Sequence, residues 1–400
     1  EQLESMAAIA PPPQLSEREP GIHTVPCLPG LRLSGVEGED YTCGVFTVPQ
    51  NWGEPDGRNL DLTFVVVKAT GENPEPDPLI HLAGGPGPST ILAIDGAVAK
   101  YRKLQPARDI IFYDIRGAGL SQRLGLQECL VLALQNGAPA EQIEVLQVAA
   151  PDLVGAASGD EIPAPPSAWD LDHPTLNGIC AEQFAAQGLD LNQFSTANNA
   201  RDAVELIKAL GYESFNIHGA SYGTRQAMTI MDDIPGYSDV PELRSVVLDS
   251  TFPPSVYLVR TLVRSDHDFM LQLLDECEAD AACKEAYPNL NERLAALLDR
   301  LEEEPLTTSG ETVTIDDVVA ELQPGGTRAA YVPKMIADLE MGVLDTYLAL
   351  RDGEIGTAPA EPEPPFEWDT SDPVQAFIAK SMDLLGCEDA AEFKVYLDIY

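Results

Sequence analysis

Three short apolar runs, each breaking into a glycine-bearing loop, constrain the fold of this chain more than any other feature. PLIHLAGGPGPS (78–89), DIIFYDIRGAGLS (109–121) and SFNIHGASYG (214–223) each open with a run of the length and character of a buried strand. LTFVVVKA (62–69) is another, rich in β-branched residues. NNARDAVELIKAL (198–210) instead has helical spacing, with Val204, Ile207 and Leu210 on one side and Gly211 just past the end. RSVVLDS (244–250) then returns to the strand pattern. Apolar strands alternating with helices predict a mainly parallel sheet with helices on both faces. Ligands of such sheets sit at the carboxyl ends of the strands, where all three glycine loops fall.

From about Thr251 the texture changes. LVRTLVRSDHDFMLQLLDECEADAACKEA, LNERLAALLDRLEEE and TIDDVVAELQ are helical patterns with no strand between them. The expected organisation is an extended Pro-rich arm over 1–26, an α/β core over 27–253 and a helical cap over 254–400. The totals fit a globular chain: 44% apolar and 22% charged residues, with no uninterrupted apolar stretch near the roughly 18 residues that span a bilayer.

The chemistry concentrates in the glycine loops. Gly219-Ala220-Ser221-Tyr222-Gly223 fits G-x-S-x-G and lies between an expected strand (215–218) and an expected helix (224–231), the context in which the motif forms a nucleophile elbow. The sharp turn admits only small flanking residues, here Gly219 and Gly223. It presents Ser221 Oγ at the sheet's edge, beside a helix N-terminus that favours negative charge. Ala83-Gly84-Gly85-Pro86-Gly87 supplies what acyl transfer needs next, backbone N–H groups able to approach a developing oxyanion. The expected donors are Gly85 N–H and Tyr222 N–H, with Gly84 and Gly87 shaping the loop. In Asp114-Ile115-Arg116-Gly117-Ala118-Gly119-Leu120-Ser121, Asp114 and Arg116 are expected to form a partly buried charge pair that braces this loop without entering catalysis.

These three motifs, in this order, resemble the α/β-hydrolases of the prolyl aminopeptidase and tripeptidyl aminopeptidase group. That group carries an HGGPG-type oxyanion loop, a D-x-R-G-x-G-x-S segment and a G-x-S-Y-G-type elbow. ECEADAAC (276–283) is also similar to a cysteine-bounded loop in the cap of the tripeptidyl branch. The resemblance runs from about Cys27 to Cys387, with motif support mainly between Ala83 and Thr251. Ala83 stands where many relatives have His, a departure from prolyl aminopeptidases proper. The resemblance implies an α/β-hydrolase fold with an inserted helical cap, a serine nucleophile, and an acid and a histidine following it in chain order.

On that last point the chain departs. After Ser221 the sequence contains one histidine, His267, in SDHDF. His218, in the strand beneath the elbow, and His81, in the strand before the oxyanion loop, read as buried, while His23 and His173 lie in polar loops. The triad acid and base are therefore expected beyond Tyr400, together with the last core strands and a partner for Cys387. The alternative is a displaced pair of Asp249, at the end of RSVVLDS, with His267.

With 65 acidic and 24 basic side chains the formal net charge is −41. Such a surface repels phosphate backbones and anionic membranes, so neither nucleic acid nor a membrane is an expected partner. The acidity reads first as a solvated surface, and more sharply as a field drawing cationic substrates such as peptides with a free amino terminus. Among seven cysteines there is no CxxC and no Cys/His cluster with zinc spacing, so no metal or other cofactor is expected. Sequence order pairs Cys27 with Cys43, Cys129 with Cys180 and Cys277 with Cys283, one connectivity among several. Paired cysteines imply an oxidising compartment, hence a secreted or periplasmic protein; seven free thiols in a cytosolic enzyme is the alternative. The opening EQLESMAAIAPPPQLSEREPG lacks the basic-then-apolar order of a signal peptide and is compatible with a mature end. The expected activity is cleavage of short peptides from their amino terminus through a Ser221 acyl-enzyme. A carboxylesterase would use the same nucleophile and oxyanion donors on an ester, and a non-catalytic binding protein is the third reading. The sequence does not set the oligomeric state.

Overall fold

The computed structural model describes residues 10–150, 173–308, 310–322 and 326–355, with positions 3, 6 and 7; Cys387 and the expected end of the cap lie outside them. The chain divides into two compact units, one running to Pro254 and the other starting at Ser255.

The first unit is built on a seven-stranded sheet of β1 (Gly21–Thr24), β2 (Tyr41–Pro49), β3 (Asn59–Val67), β4 (Leu79–Leu82), β5 (Ile110–Tyr113), β6 (Ser214–Ala220) and β7 (Glu242–Asp249), in the order β1-β2-β3-β5-β4-β6-β7. β1, β2, β3 and β5 pair antiparallel in turn, and β5, β4, β6 and β7 pair parallel. Only β1 and β3 therefore oppose the common direction. β1 and β2 were not among the expected strands, because Thr42, Cys43 and Gly44 break up the apolar run of β2.

Period-two alternation then sorts side chains onto two faces. On one, Val66, Ile80, Ile111 and Ile217 pack with α2 (Leu126–Asn136), α5 (Thr196–Ala209) and α6 (Tyr222–Asp233). On the other, Val65, Leu79, Ile110 and Phe112 pack with Ile94 of α1 (Ile94–Lys100) and with Tyr101. Each such aliphatic side chain contributes about 1.5–3 kcal/mol by leaving water. A mainly parallel sheet with helices on both faces agrees with the expected α/β-hydrolase class. The expected helix over 198–210 is α5, capped by Ser195 Oγ accepting from Asn198 N–H.

Outside the sheet, α3 (Ala140–Ala149) and α4 (His173–Ala186) complete the first unit. Cys27–Cys43 ties the entering chain to β2, and Cys129–Cys180 joins α2 to α4. Closing the 51-residue separation of the second bond constrains the unfolded chain by about 4 kcal/mol.

The second unit has its own core. It comprises α7 (Leu258–Ala279), α8 (Ala281–Ala286), α9 (Leu290–Glu303), a hairpin of β8 (Leu306–Thr308) and β9 (Glu311–Val313), then α10 (Ile315–Glu321), α11 (Val332–Glu340) and α12 (Asp345–Arg351). Leu290, Leu294, Leu297 and Leu301 form the buried stripe of α9, packed with Met335, Ile336 and Leu350. Cys277–Cys283 links α7 to α8. The hairpin is a departure from the helical expectation; its strands are too short for a period-two pattern to register. Among the described residues no helix is long and apolar enough to cross a membrane.

Candidate active site

β6 ends at Ala220 and α6 begins at Tyr222, so Ser221 alone makes the turn, at φ 50° and ψ −115°. A non-glycine residue held there costs about 1–3 kcal/mol. The surroundings hold it on both sides. Ser221 N–H donates to the Asp249 carbonyl at 2.8 Å, and the Ser221 carbonyl accepts from Thr224 N–H at 2.9 Å and Thr224 Oγ1 at 2.7 Å. The flanking glycines are dictated by close approach: a Cβ on Gly223 would lie 1.8 Å from the Leu82 carbonyl oxygen, and one on Gly219 would lie 2.5 Å from that of Gly223. α6 thus starts directly against the end of β4.

β4 is the hydrogen-bonded neighbour of β6, with Leu82 opposite Gly219, so the glycine loop leaving β4 arrives at the elbow. A Cβ on Gly84 would lie 3.0 Å from Ser221 Cβ and 3.7 Å from its Oγ. A side chain at Gly84 would therefore press on Ser221, which must give by a few tenths of an ångström to admit it. Gly85 and Gly87 continue the same turn, and the Gly87 carbonyl accepts from Gly119 N–H at 3.0 Å. Tyr222 N–H belongs to the first residue of α6, where no intrahelical acceptor exists. The Tyr222 side chain is anchored on α5, its Oη 3.1 Å from both Thr196 Oγ1 and Asn199 Nδ2. The structure thus gathers Gly84, Gly85, Gly87, Gly219, Ser221, Tyr222 and Gly223 at the carboxyl ends of β4 and β6.

The expected pair of Asp114 with Arg116 is corrected. Asp114 accepts from Ser89 Oγ at 2.5 Å, Thr90 N–H at 2.8 Å and Leu120 N–H at 2.8 Å, tying the loops after β4 and β5 together. Burial pushes its carboxyl above the usual range, against the pull of those donors. Arg116 turns instead to Asp202 on α5, with Nε–Oδ2 2.7 Å and Nη2–Oδ1 2.6 Å, both side chains fully buried. It also donates to the Gln50 carbonyl at 2.7 Å, while Trp52 Nε1 donates to Asp202 at 2.9 Å. Asp114 already has its lone pairs filled by the loops, so the guanidinium takes the carboxylate that offers two parallel bonds. Asp202 went unread because it interrupts an otherwise apolar helix face beside Ala203 and Val204; a charge in such a place is the signal that would have found it.

Asp249 and His267 also find other partners. Asp249 closes β7 with its side chain half-exposed, Oδ1 accepting from Ser250 Oγ at 3.2 Å and Oδ2 lying 3.8 Å from His218 Nε2. His267, exposed on α7, has Nδ1 3.3 Å from Asp268 Oδ1. His81 and His218 are buried as expected, side by side in register on β4 and β6. Burial lowers both imidazoles, His81 to about 3. Among the described residues no group of three or more His, Cys, Asp or Glu is arranged to hold a metal ion.

No protein-family model matches the chain. Its sequence is similar to the tripeptidyl aminopeptidase of Streptomyces lividans, 26% identical over 217 residues covering 53% of this chain and 36% of that protein. It is also similar to serine protease Hip1 of Mycobacterium tuberculosis, 24% identical over 247 residues, 60% of this chain and 42% of that one. The matches thus span well under half the length of these relatives. A proline iminopeptidase structure from Mycobacterium smegmatis aligns over 76% of this chain and 69% of its own at 18% identity, with a TM-score of 0.28. The two sequence relatives are thus named as a tripeptidyl aminopeptidase and a serine protease.

Proposed function

We propose that this chain is a serine hydrolase that cleaves short peptides from their amino terminus through Ser221, by way of an acyl-enzyme. The observation that carries the reading is the contact between the Gly84 turn and Ser221, which puts a strained nucleophile elbow against a glycine loop of the kind that stabilises oxyanions. In this mechanism Ser221 Oγ attacks the carbonyl carbon, and the carbonyl oxygen, now negative, accepts from Gly85 N–H and Tyr222 N–H. The Oγ proton passes to an imidazole that must come within about 3 Å, and from there to the leaving amine. His81 is not that base: burial leaves it a very weak one, and its Nδ1 is engaged by Tyr101. Water then releases the acyl group by the same steps in reverse.

A peptide is preferred over an ester because the relatives are named as peptidases and because a net charge of −41 attracts a protonated amino terminus. The three disulfides support a secreted or periplasmic location. The test compares a tripeptidyl p-nitroanilide, its N-acetylated form and a p-nitrophenyl ester. The expected result is release of nitroaniline that falls sharply on acetylation. Turnover confined to the ester would replace the peptidase reading with the esterase one.

A further inference from the structure

On the α1 face of the sheet, directly beneath the elbow, two imidazoles share one phenol. Tyr101 Oη lies 2.7 Å from His81 Nδ1 and 2.5 Å from His218 Nδ1, and all three side chains are buried. A phenol has one proton, so it donates to one of these nitrogens and accepts from the other. Two arrangements are possible, and the far side of His218 decides between them. Its Nε2 is buried without a hydrogen-bond partner and faces Asp249 Oδ2 at 3.8 Å. In one arrangement this nitrogen turns a lone pair on the carboxylate, which is repulsive; in the other it turns an N–H. The order is therefore His81 Nδ1–H to Tyr101 Oη, Tyr101 Oη–H to His218 Nδ1, and His218 Nε2–H towards Asp249. The other groups facing the pair are the Phe112 ring edge and the Lys100 ammonium, which opposes a positive charge on either imidazole.

Asp249 is the residue whose carbonyl accepts the Ser221 N–H at 2.8 Å. Its half-exposed carboxylate needs to swing by only about 1 Å to reach hydrogen-bond distance of His218 Nε2. We propose that His218 is a positioning residue for the nucleophile: oriented by His81 through Tyr101, its Nε2–H holds the Asp249 carboxylate and so fixes the β7 terminus that anchors the Ser221 backbone. This rests on the reading of Ser221 as nucleophile.

Two measurements on the full chain test it. Imidazole ¹⁵N NMR near neutral pH is expected to show His218 as the Nε2–H tautomer, and the Nδ1–H tautomer would overturn the proposal whether or not the protein is active. The second is the rate at which a fluorophosphonate phosphonylates Ser221, Oγ forming the bond to phosphorus as fluoride leaves. His218→Phe, checked for folding by circular dichroism, is expected to react about tenfold more slowly, the scale of one hydrogen bond to a charged group. His218→Gln, with an amide N–H near the position of Nε2–H, should recover most of the rate, which a general packing defect would not do. Tyr101→Phe should lose the single tautomer and slow labelling even where His218→Phe fails to fold. A folded His218→Phe that reacts at the wild-type rate refutes the proposal. A wild-type protein that hydrolyses the tripeptidyl p-nitroanilide yet stays unlabelled at Ser221 refutes the nucleophile reading instead, and leaves the tautomer to decide this one.

Discussion

Ser221 occupies a backbone conformation that its own side chain does not favour, and three hydrogen bonds to its peptide groups keep it there. Around it Gly84, Gly85, Gly219 and Gly223 each leave a Cβ 3.0 Å or less from a real neighbour, while Gly87 is set apart by its φ of 141°, and the sequence shows these positions as a local pattern. Gly84→Ala is the sharpest probe of this packing. Its new Cβ would press on Ser221 Cβ at 3.0 Å, and displacing a nucleophile by a fraction of an ångström to 1 Å costs up to about 100-fold. We expect kcat/KM on a tripeptidyl p-nitroanilide to fall by about that factor while the melting temperature moves little. Unchanged kinetics would detach the loop from the site. The partner of Arg116 was not legible in the same way, because Asp202 lies 86 positions further on and only the packing of α5 on the sheet brings it near.

Between elements, the buried Arg116–Asp202 pair connects the loop after β5 to α5 and, through Gln50 and Trp52, to the segment after β2. Removing one partner strands the other charge without solvent. Asp202→Leu is expected to cost about 3–5 kcal/mol in urea unfolding, and the double change with Arg116→Met should recover a large part of it. A single variant as stable as the parent would show that the guanidinium finds another partner. The strands that carry the site were readable because each is a compact apolar run ending in glycine. β1, β2 and the β8–β9 hairpin were not, since small or polar residues and three-residue lengths hide the alternation that betrays a strand.

For the whole molecule, charge and buried histidines set the response to solution conditions. At −41 the folded chain repels itself, so its melting temperature should rise between low and moderate salt as screening sets in; a flat response would mean the charges are already locally compensated. His81 and His218 are held neutral by burial, with His81 down at about 3. Below about pH 6.5 the unfolded chain takes up protons that these imidazoles refuse in the fold, so their contribution is a stability that falls as pH drops from there, for His81 down to about 3. Asp114, pushed upward by burial, works in the opposite sense. Denaturant unfolding at pH 7 and pH 5 should therefore show a steeper loss for the parent than for His81→Phe, and equal slopes would contradict the buried neutral pair.

Every proposed step depends on Ser221 as the nucleophile. The decisive measurement reacts the protein with a fluorophosphonate and maps the adduct by peptide mass spectrometry. One adduct is expected, on the peptide carrying Gly219-Ala220-Ser221-Tyr222-Gly223, absent from a Ser221→Ala variant that folds normally and has lost turnover by a factor on the order of 10⁶. An adduct on another residue, or near-parental turnover in Ser221→Ala, would contradict it.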